Sequence, residues 1–471
     1  MRLLALGAVL LLGLTQAPAV AAAGGLAWHP CEQDGTADCA TLTVPVDWAD
    51  PARGTFPLAV ARRRATDQAG RIGALLINPG GPGASGVSMA LSANRFFGPD
   101  VVSRFDLIGF DPRGVGASQP IKCASRPSAR PPTSQAEFEA LAEANRRQRA
   151  DCRQHSGPIF DHADTMSVVQ DVDALRAALG ESKISYYGAS YGTLLGQQYA
   201  ERHGDRVRSM VLDGVMDHSL HLTEFSVSAA ASGEDALATF ADWCQRQDSC
   251  ALHGKQVLSY WDQLLDAADQ GRLVEQVDTM PASSWYVIQH AYGSLIRPDF
   301  PGLAQWLATL RITASPVPQP SSAETAGGEL TDNPRPAVFC QDWTPRVTSY
   351  ADWQRITGAE RAAAPHLRYS SEAREAVLSC VGWPEQAANP PRPVRLGPGP
   401  RILLVNPLHD PATGYSWAQG LHRQAPQRTV LLRYDGTGHT AYFRTDCVRH
   451  TVDDYLVAQT VPATGTSCPA A

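Results

Sequence analysis

Lysine is nearly missing from this chain: Lys122, Lys183 and Lys255 are the only three in 471 residues, so positive charge rests on arginine. There is no basic excess either, with a formal net charge of −7 and an isoelectric point near 6.0. That balance excludes electrostatic capture of nucleic acid or of an anionic membrane, and a mild acidic excess serves mainly solubility. No Cys-x-x-Cys pair occurs, and the cysteines are not grouped with histidines at zinc spacing, so no metal site is expected. After the first two dozen residues no stretch reaches the ~18 apolar residues that a membrane-spanning helix needs. Internal repeats are absent. The N-terminal segment has neither a twin-arginine pair nor a cysteine at the expected cleavage point, which excludes the corresponding export and lipoprotein signals.

The N-terminus itself has the layout of a signal peptide over residues 1–23. Arg2 is a minimal positive region, Leu3 to Leu14 is a short apolar core, and Ala19-Val20-Ala21 and Ala21-Ala22-Ala23 fit the small-x-small cleavage rule. The mature chain is therefore expected outside the cell and off the membrane. All ten cysteines lie beyond the leader, and an even count in an exported chain reads as disulfides. Spacing leaves the connectivity open. Nearest-neighbour pairing would join 31 to 39, 123 to 152, 244 to 250, 340 to 380 and 447 to 468.

Hydrophobic residues make up 44% of the chain, enough for a large enzyme domain with an insertion. The first part alternates strand-like and helix-like segments, which predicts parallel α/β winding. Strands are expected at Leu42 to Val46, Phe56 to Ala61, Ala74 to Ile77, Phe105 to Phe110, Ile184 to Tyr187 and Val207 to Leu212. Thr165 is expected to cap a helix from Met166 to Leu179, whose apolar positions Val168, Val172, Leu175 and Leu179 recur at helical spacing. From about 215 to 395 the pattern is helical with scattered tryptophans and no clean strand. Within it, 315–336 reads as a loop, and 384–400 reads as a Pro-rich linker. Strand character returns at Ile402 to Val405 and Val430 to Tyr434. The division that follows is a core at 24–215, an insertion at 216–395 covering one end of the sheet, and the rest of the core at 396–471.

Gly188-Ala189-Ser190-Tyr191-Gly192 fits G-x-S-x-G between a β-rich run and a helix-like run, the layout of a nucleophile elbow. A serine hydroxyl needs a base, and the base needs an orienting carboxylate. In the α/β-hydrolase class the chain order is Ser, acid, His, each on a loop after a strand. Asp410 follows the 402–405 strand, and His439 follows the 430–434 strand inside Gly436-Thr437-Gly438-His439. Asp435 is closer to His439 along the chain, but Asp410 is favoured because the acid sits after the strand preceding the histidine's strand. The expected triad is Ser190, Asp410 and His439, which needs no cofactor. Asn78-Pro79-Gly80-Gly81-Pro82-Gly83 follows the Ala74–Ile77 strand and is read as an oxyanion loop. The prolines have no N–H, so the donor is Gly80, Gly81 or Gly83. Gly81 is the choice, with Tyr191 supplying the second N–H.

These segments, with Asp111-Pro112-Arg113-Gly114, Val211-Leu212-Asp213-Gly214-Val215 and Cys340-x-Asp342, resemble the secreted tripeptidyl aminopeptidases of actinomycetes and, more distantly, the prolyl iminopeptidases. Gly414 stands where such proteins often have proline. The resemblance implies an α/β-hydrolase fold with a helical cap, and an exopeptidase with an acidic group for the substrate ammonium. By resemblance Asp342 is the candidate for that group; a structural role for it, and Glu224 or Glu329 in its place, stay open. The chain is also similar to amidases of the N-acetylpuromycin deacetylase type, which would make the substrate a small N-acylated amine or an ester. The triad alone does not separate these substrates, because specificity lies in the insertion.

Overall fold

The computed structural model describes residues 25–125, 130–275, 280–318, 329–344, 347–384 and 386–471. The expected signal peptide lies outside the described residues. At the centre is a ten-stranded sheet. In chain order its strands are β1 (His29–Pro30), β2 (Asp38–Pro45), β3 (Thr55–Arg63), β4 (Gly73–Asn78), β5 (Phe105–Phe110), β6 (Ile184–Ala189), β7 (Val207–Asp213), β8 (Ile402–His409), β9 (Thr429–Thr437) and β10 (Ser467–Cys468). They lie side by side as β1-β2-β3-β5-β4-β6-β7-β8-β9-β10. β1, β2 and β3 join antiparallel, as does β3 to β5, and every later pairing is parallel. This is the α/β-hydrolase architecture.

The central strands are mostly apolar because helices cover both faces. β4, β5 and β6 are buried at every position. Side chains still alternate. Leu76, Ile108, Tyr186, Leu212 and Leu404 face one way, against Val168, Val172 and Leu175 of α1 (Thr165–Ala178) and Leu195 and Tyr199 of α2 (Gly192–His203). Leu75, Ile77, Tyr187, Val211 and Leu403 face the other way, against helices near residues 86–104 and 446–458.

Between β7 and β8 the chain leaves the sheet. Three of the helices it forms there bear on the site: α3 (Leu222–Arg246), α4 (Pro334–Asp342) and α5 (Ser371–Cys380). The 384–400 stretch has no regular structure among its described residues, in keeping with its prolines. Three local expectations change. Asp164, not Thr165, caps α1 by accepting from Ser167 N. The expected 315–336 loop, where described, contains a short strand, Leu330–Asp332, paired with Lys122–Ala124, and the start of α4. Prolines that read as loop signals instead sit in the first turn of α4, where a missing N–H costs nothing. Short strands Leu273–Glu275 and Leu310–Ile312 pair within the helical segment.

The ten cysteines form five disulfides, joined as nearest neighbours along the chain. Such a set fits an oxidising compartment. Among the described residues no helix is long and apolar enough to cross a membrane. Cys340–Cys380 ties α4 to α5 across a separation of 40 residues. A loop of that size withdraws roughly 4 kcal/mol of chain freedom from the unfolded state. Strong reductant is expected to lower the calorimetric midpoint by at least about 5 °C. An unmoved midpoint would mean that the disulfides are not structural.

Candidate active site

Ser190 sits between the end of β6 and the start of α2, with φ at +56°. That left-handed conformation costs a residue with a side chain roughly 1–2 kcal/mol, so the surroundings must hold it. Ser190 N–H donates to the Asp213 carbonyl at 2.9 Å, and Thr193 Oγ1 donates to the Ser190 carbonyl at 2.6 Å. The flanking glycines are needed for space. A Cβ on Gly188 would stand 2.5 Å from the Gly192 carbonyl, and one on Gly192 would stand 2.6 Å from Asn78 Oδ1. The turn therefore packs directly on the Asn78 loop and leaves the Ser190 side chain at a partly open surface.

The carboxylate that meets His439 is Asp410. His439 Nδ1 lies 2.9 Å from Asp410 Oδ2 and 3.1 Å from Oδ1. Asp435 pairs instead with Arg433. The Asp410 carboxylate also accepts from Ala412 N, Thr413 N and Thr413 Oγ1, each at 2.9 Å, so its orientation is set from several sides. Its side chain is fully buried, whereas 16% of the His439 side chain stays exposed, enough for a substrate to touch. Burial opposes charge on this imidazole, but the neighbouring Asp410 outweighs it and raises the His439 pKa above 6.5. Ser190 and His439 line one cleft of about 700 Å³.

A second, smaller pocket opens on the other side of Ser190. Gly81 and Tyr191 line it with Ser190, backed by Phe225 of α3, Phe339 of α4 and Ala373 and Ala376 of α5. Trp417 of α6 (Tyr415–Gln424) closes it. Gly80 N–H is already spent on Asn78 Oδ1 at 2.9 Å. Gly81 and Tyr191 N–H have no acceptor among the described residues, and both belong to the pocket that Ser190 lines. A carbonyl at Ser190 could take both hydrogen bonds.

Asp342 is not in either space. It is buried at 0% exposure, and its four hydrogen bonds come from Thr165 N, Thr165 Oγ1, Tyr191 Oη and Asn389 Nδ2. Burial, then the charge of Asp164, pushes its carboxyl up to about 7. With its oxygens filled from within it has no room for a substrate ammonium; it anchors the Tyr191 ring instead. Of the alternatives, Glu224 caps α3 by accepting from His221 N, and Glu329 lies on the strand side of Ser125. The carboxylate that does line the smaller pocket is Glu372, at the second position of α5 and part-buried. It has no hydrogen-bond or ion-pair partner among the described residues. Nothing in its sequence neighbourhood marks it, since an acid in a first helical turn is ordinary.

Asp213, at the end of β7, was legible as part of a motif but not in its role. Its carbonyl holds Ser190 N–H, while its carboxylate accepts Ala441 N at 2.8 Å, Tyr442 N at 3.0 Å and Tyr187 Oη at 2.8 Å. One residue thus ties the serine turn to the loop that carries His439. Asp213→Ala is expected to lower kcat by roughly tenfold to a hundredfold through misplacement of His439, with Tyr187→Phe milder because it removes one donor of three. Steady-state kinetics beside a thermal melt check this; an unchanged kcat in a folded Asp213→Ala protein would contradict it.

Known proteins match this sequence over most of its length. A family model described as "alpha/beta hydrolase fold" matches residues 73–296, and one described as "TAP-like protein" matches residues 365–468. The tripeptidyl aminopeptidase of Streptomyces coelicolor is 30% identical over 97% of this chain and 88% of its own length. Serine protease Hip1 of Mycobacterium tuberculosis is 32% identical over 94% of this chain and 90% of its own. Carboxylesterase B of Mycobacterium tuberculosis is 33% identical over 92% of this chain and 86% of its own. With the fold, a G-x-S-x-G turn on its sheet and near full-length relatives in agreement, the chain belongs to the tripeptidyl aminopeptidase family of α/β-hydrolases and is a serine hydrolase.

Proposed function

We propose that this protein is a secreted aminopeptidase that releases short peptides, tripeptides by analogy with its relatives, from free N-termini. Ser190 is the nucleophile. His439 takes the Oγ proton as Oγ attacks the scissile carbonyl, and the oxyanion forms beside the N–H groups of Gly81 and Tyr191. His439 then gives the proton to the leaving amine. Water repeats the sequence on the acyl-enzyme. Asp410 keeps the His439 Nδ1 proton in place and stabilises the imidazolium. The helices between β7 and β8 act as a cap that closes the acyl pocket and limits its length.

The observation that carries the peptidase reading is Glu372. A part-buried carboxylate with no hydrogen-bond or ion-pair partner among the described residues, in the pocket that Gly81 and Tyr191 line and that Arg335 also lines, suits a substrate ammonium. The apolar walls formed by Met216, Phe225, Phe339 and Trp417 favour a second reading, in which the same pocket takes a small acyl group of an amide or ester. A panel separates the two: tripeptide nitroanilides with free and acetylated N-termini, acetylated small amines, and nitrophenyl esters. The first reading expects cleavage of free-amine tripeptides, and Glu372→Gln should raise their KM by about tenfold or more while leaving ester turnover near wild type. Equal cleavage of the acetylated tripeptides would overturn it.

The raised His439 pKa sets a pH limit. The base must be neutral, so kcat/KM should fall as pH drops through a value above 6.5. Asp410→Asn removes the charge that raises it, so the acid limb should move lower while kcat falls by about 10⁴. An acid limb that stays put in this variant would show that another group titrates.

A further inference from the structure

On the aminopeptidase reading, the acyl group lies beside the Gly81 and Tyr191 N–H groups, which leaves the cleft that holds His439 to the other side of the scissile bond. Gly81 and Tyr191 line the smaller pocket and not the large cleft, His439 lines the large cleft and not the smaller pocket, and Ser190 is shared by both. The proton for the leaving amine comes from His439, so the leaving chain must depart through the large cleft. Its walls are chemically uneven. Met89, Phe96, Ile296 and Phe443 form an apolar shelf, and 51% of Phe443 is exposed. Beside them stand two arginines, Arg297 and Arg444.

Neither arginine has a carboxylate partner among the described residues. Arg444 is part-buried, donates to the carbonyls of His439 at 3.0 Å and Thr440 at 3.2 Å, and lies 4.8 Å over the Phe443 ring. Arg297 is exposed, with no side-chain hydrogen bond among the described residues. An apolar shelf with the exposed Arg297 guanidinium beside it, and Arg444 held on backbone carbonyls next to it, fits an apolar residue and a neighbouring carboxylate.

Resting on the aminopeptidase reading, we infer that this cleft is a leaving-group subsite that selects peptides with an apolar or aromatic residue just after the scissile bond and a carboxylate one residue further. The carboxylate is either an acidic side chain or the terminal carboxylate of a short product. The subsite makes the enzyme selective for what it leaves behind, not only for what it removes.

The test uses peptides with one alanyl tripeptide in front and different residues after the cut: Phe-Asp, Phe-Asn, Phe-Lys and Gly-Asp. Each is made with a free and an amidated C-terminus, and released tripeptide is quantified. The expected order is Phe-Asp, then Phe-Asn, then Phe-Lys, with roughly a fivefold to tenfold span in kcat/KM at low salt that narrows as salt screens it. A free acid that outperforms its amide in the Phe-Asn pair assigns the contact to the terminal carboxylate; equal rates there with Phe-Asp still preferred assign it to the acidic side chain. Arg297→Glu should reverse the Asp-over-Lys order, and Phe443→Ala should erase the Phe-over-Gly preference. A thermal melt and stoichiometric fluorophosphonate labelling of Ser190 report separately that each variant is folded and competent. Equal rates for all leaving residues, or an order untouched by Arg297→Glu in a competent protein, would overturn the inference. Ester turnover with no peptide cleaved at all would remove the peptidase reading and this inference with it.

Discussion

Asp213 is the point at which two distant parts of the chain are fastened together. Its backbone carbonyl receives the Ser190 N–H, and its carboxylate receives the N–H groups of Ala441 and Tyr442, just past His439. Burial alone would push this carboxyl toward its neutral form, and three donors answer that cost. Because the strands beside it are parallel and hydrogen-bonded in register, the serine turn, the aspartate loop and the histidine loop all emerge at the same edge of the sheet. The spacing of the reacting groups is thus inherited from the sheet and trimmed by a few buried polar contacts.

The remaining polar contacts serve the same end. Asn406 spans the switch between β7 and β8, accepting from Val215 N at 2.7 Å and donating to the Thr413 carbonyl at 3.0 Å. Asn78 does the equivalent work under the glycine loop through Gly80 N. Asp342 reaches from α4 to Tyr191 and to Thr165, so the helical layer is braced against the residue next to Ser190. The specificity surfaces lie on either side of this frame. A smaller pocket lined by Glu372 and Arg335 among apolar side chains is on one side, and a larger cleft with Arg297 and Arg444 is on the other.

Much of the frame could be read from residue order. The apolar runs of β4 to β7 stand out because both faces of those strands are covered, and Ser190, Asp410 and His439 each follow a strand in the order of their class. The disulfide pairing followed chain proximity in all five cases. What could not be read was which polar side chains face inward. Asp342 and Glu372 look alike as sequence: each is an acid on a short helix near a cysteine. Helix packing alone sends the first into a closed set of hydrogen bonds and the second to the pocket wall. Asp213 was likewise visible only as one letter of a motif, since the partners of its carboxylate lie 26 to 229 positions away. The prolines of α4 misled for a local reason, being equally at home in a loop and in a first helical turn.

The account depends on Ser190 being the group that forms the covalent intermediate. Reaction of the intact protein with a fluorophosphonate, followed by digestion and mass spectrometry, locates the adduct directly. One phosphonyl group per chain on the peptide containing Ser190, absent when His439 is replaced by alanine, is the predicted result. An adduct on any other serine, or labelling of Ser190 that proceeds equally well without His439, would contradict it.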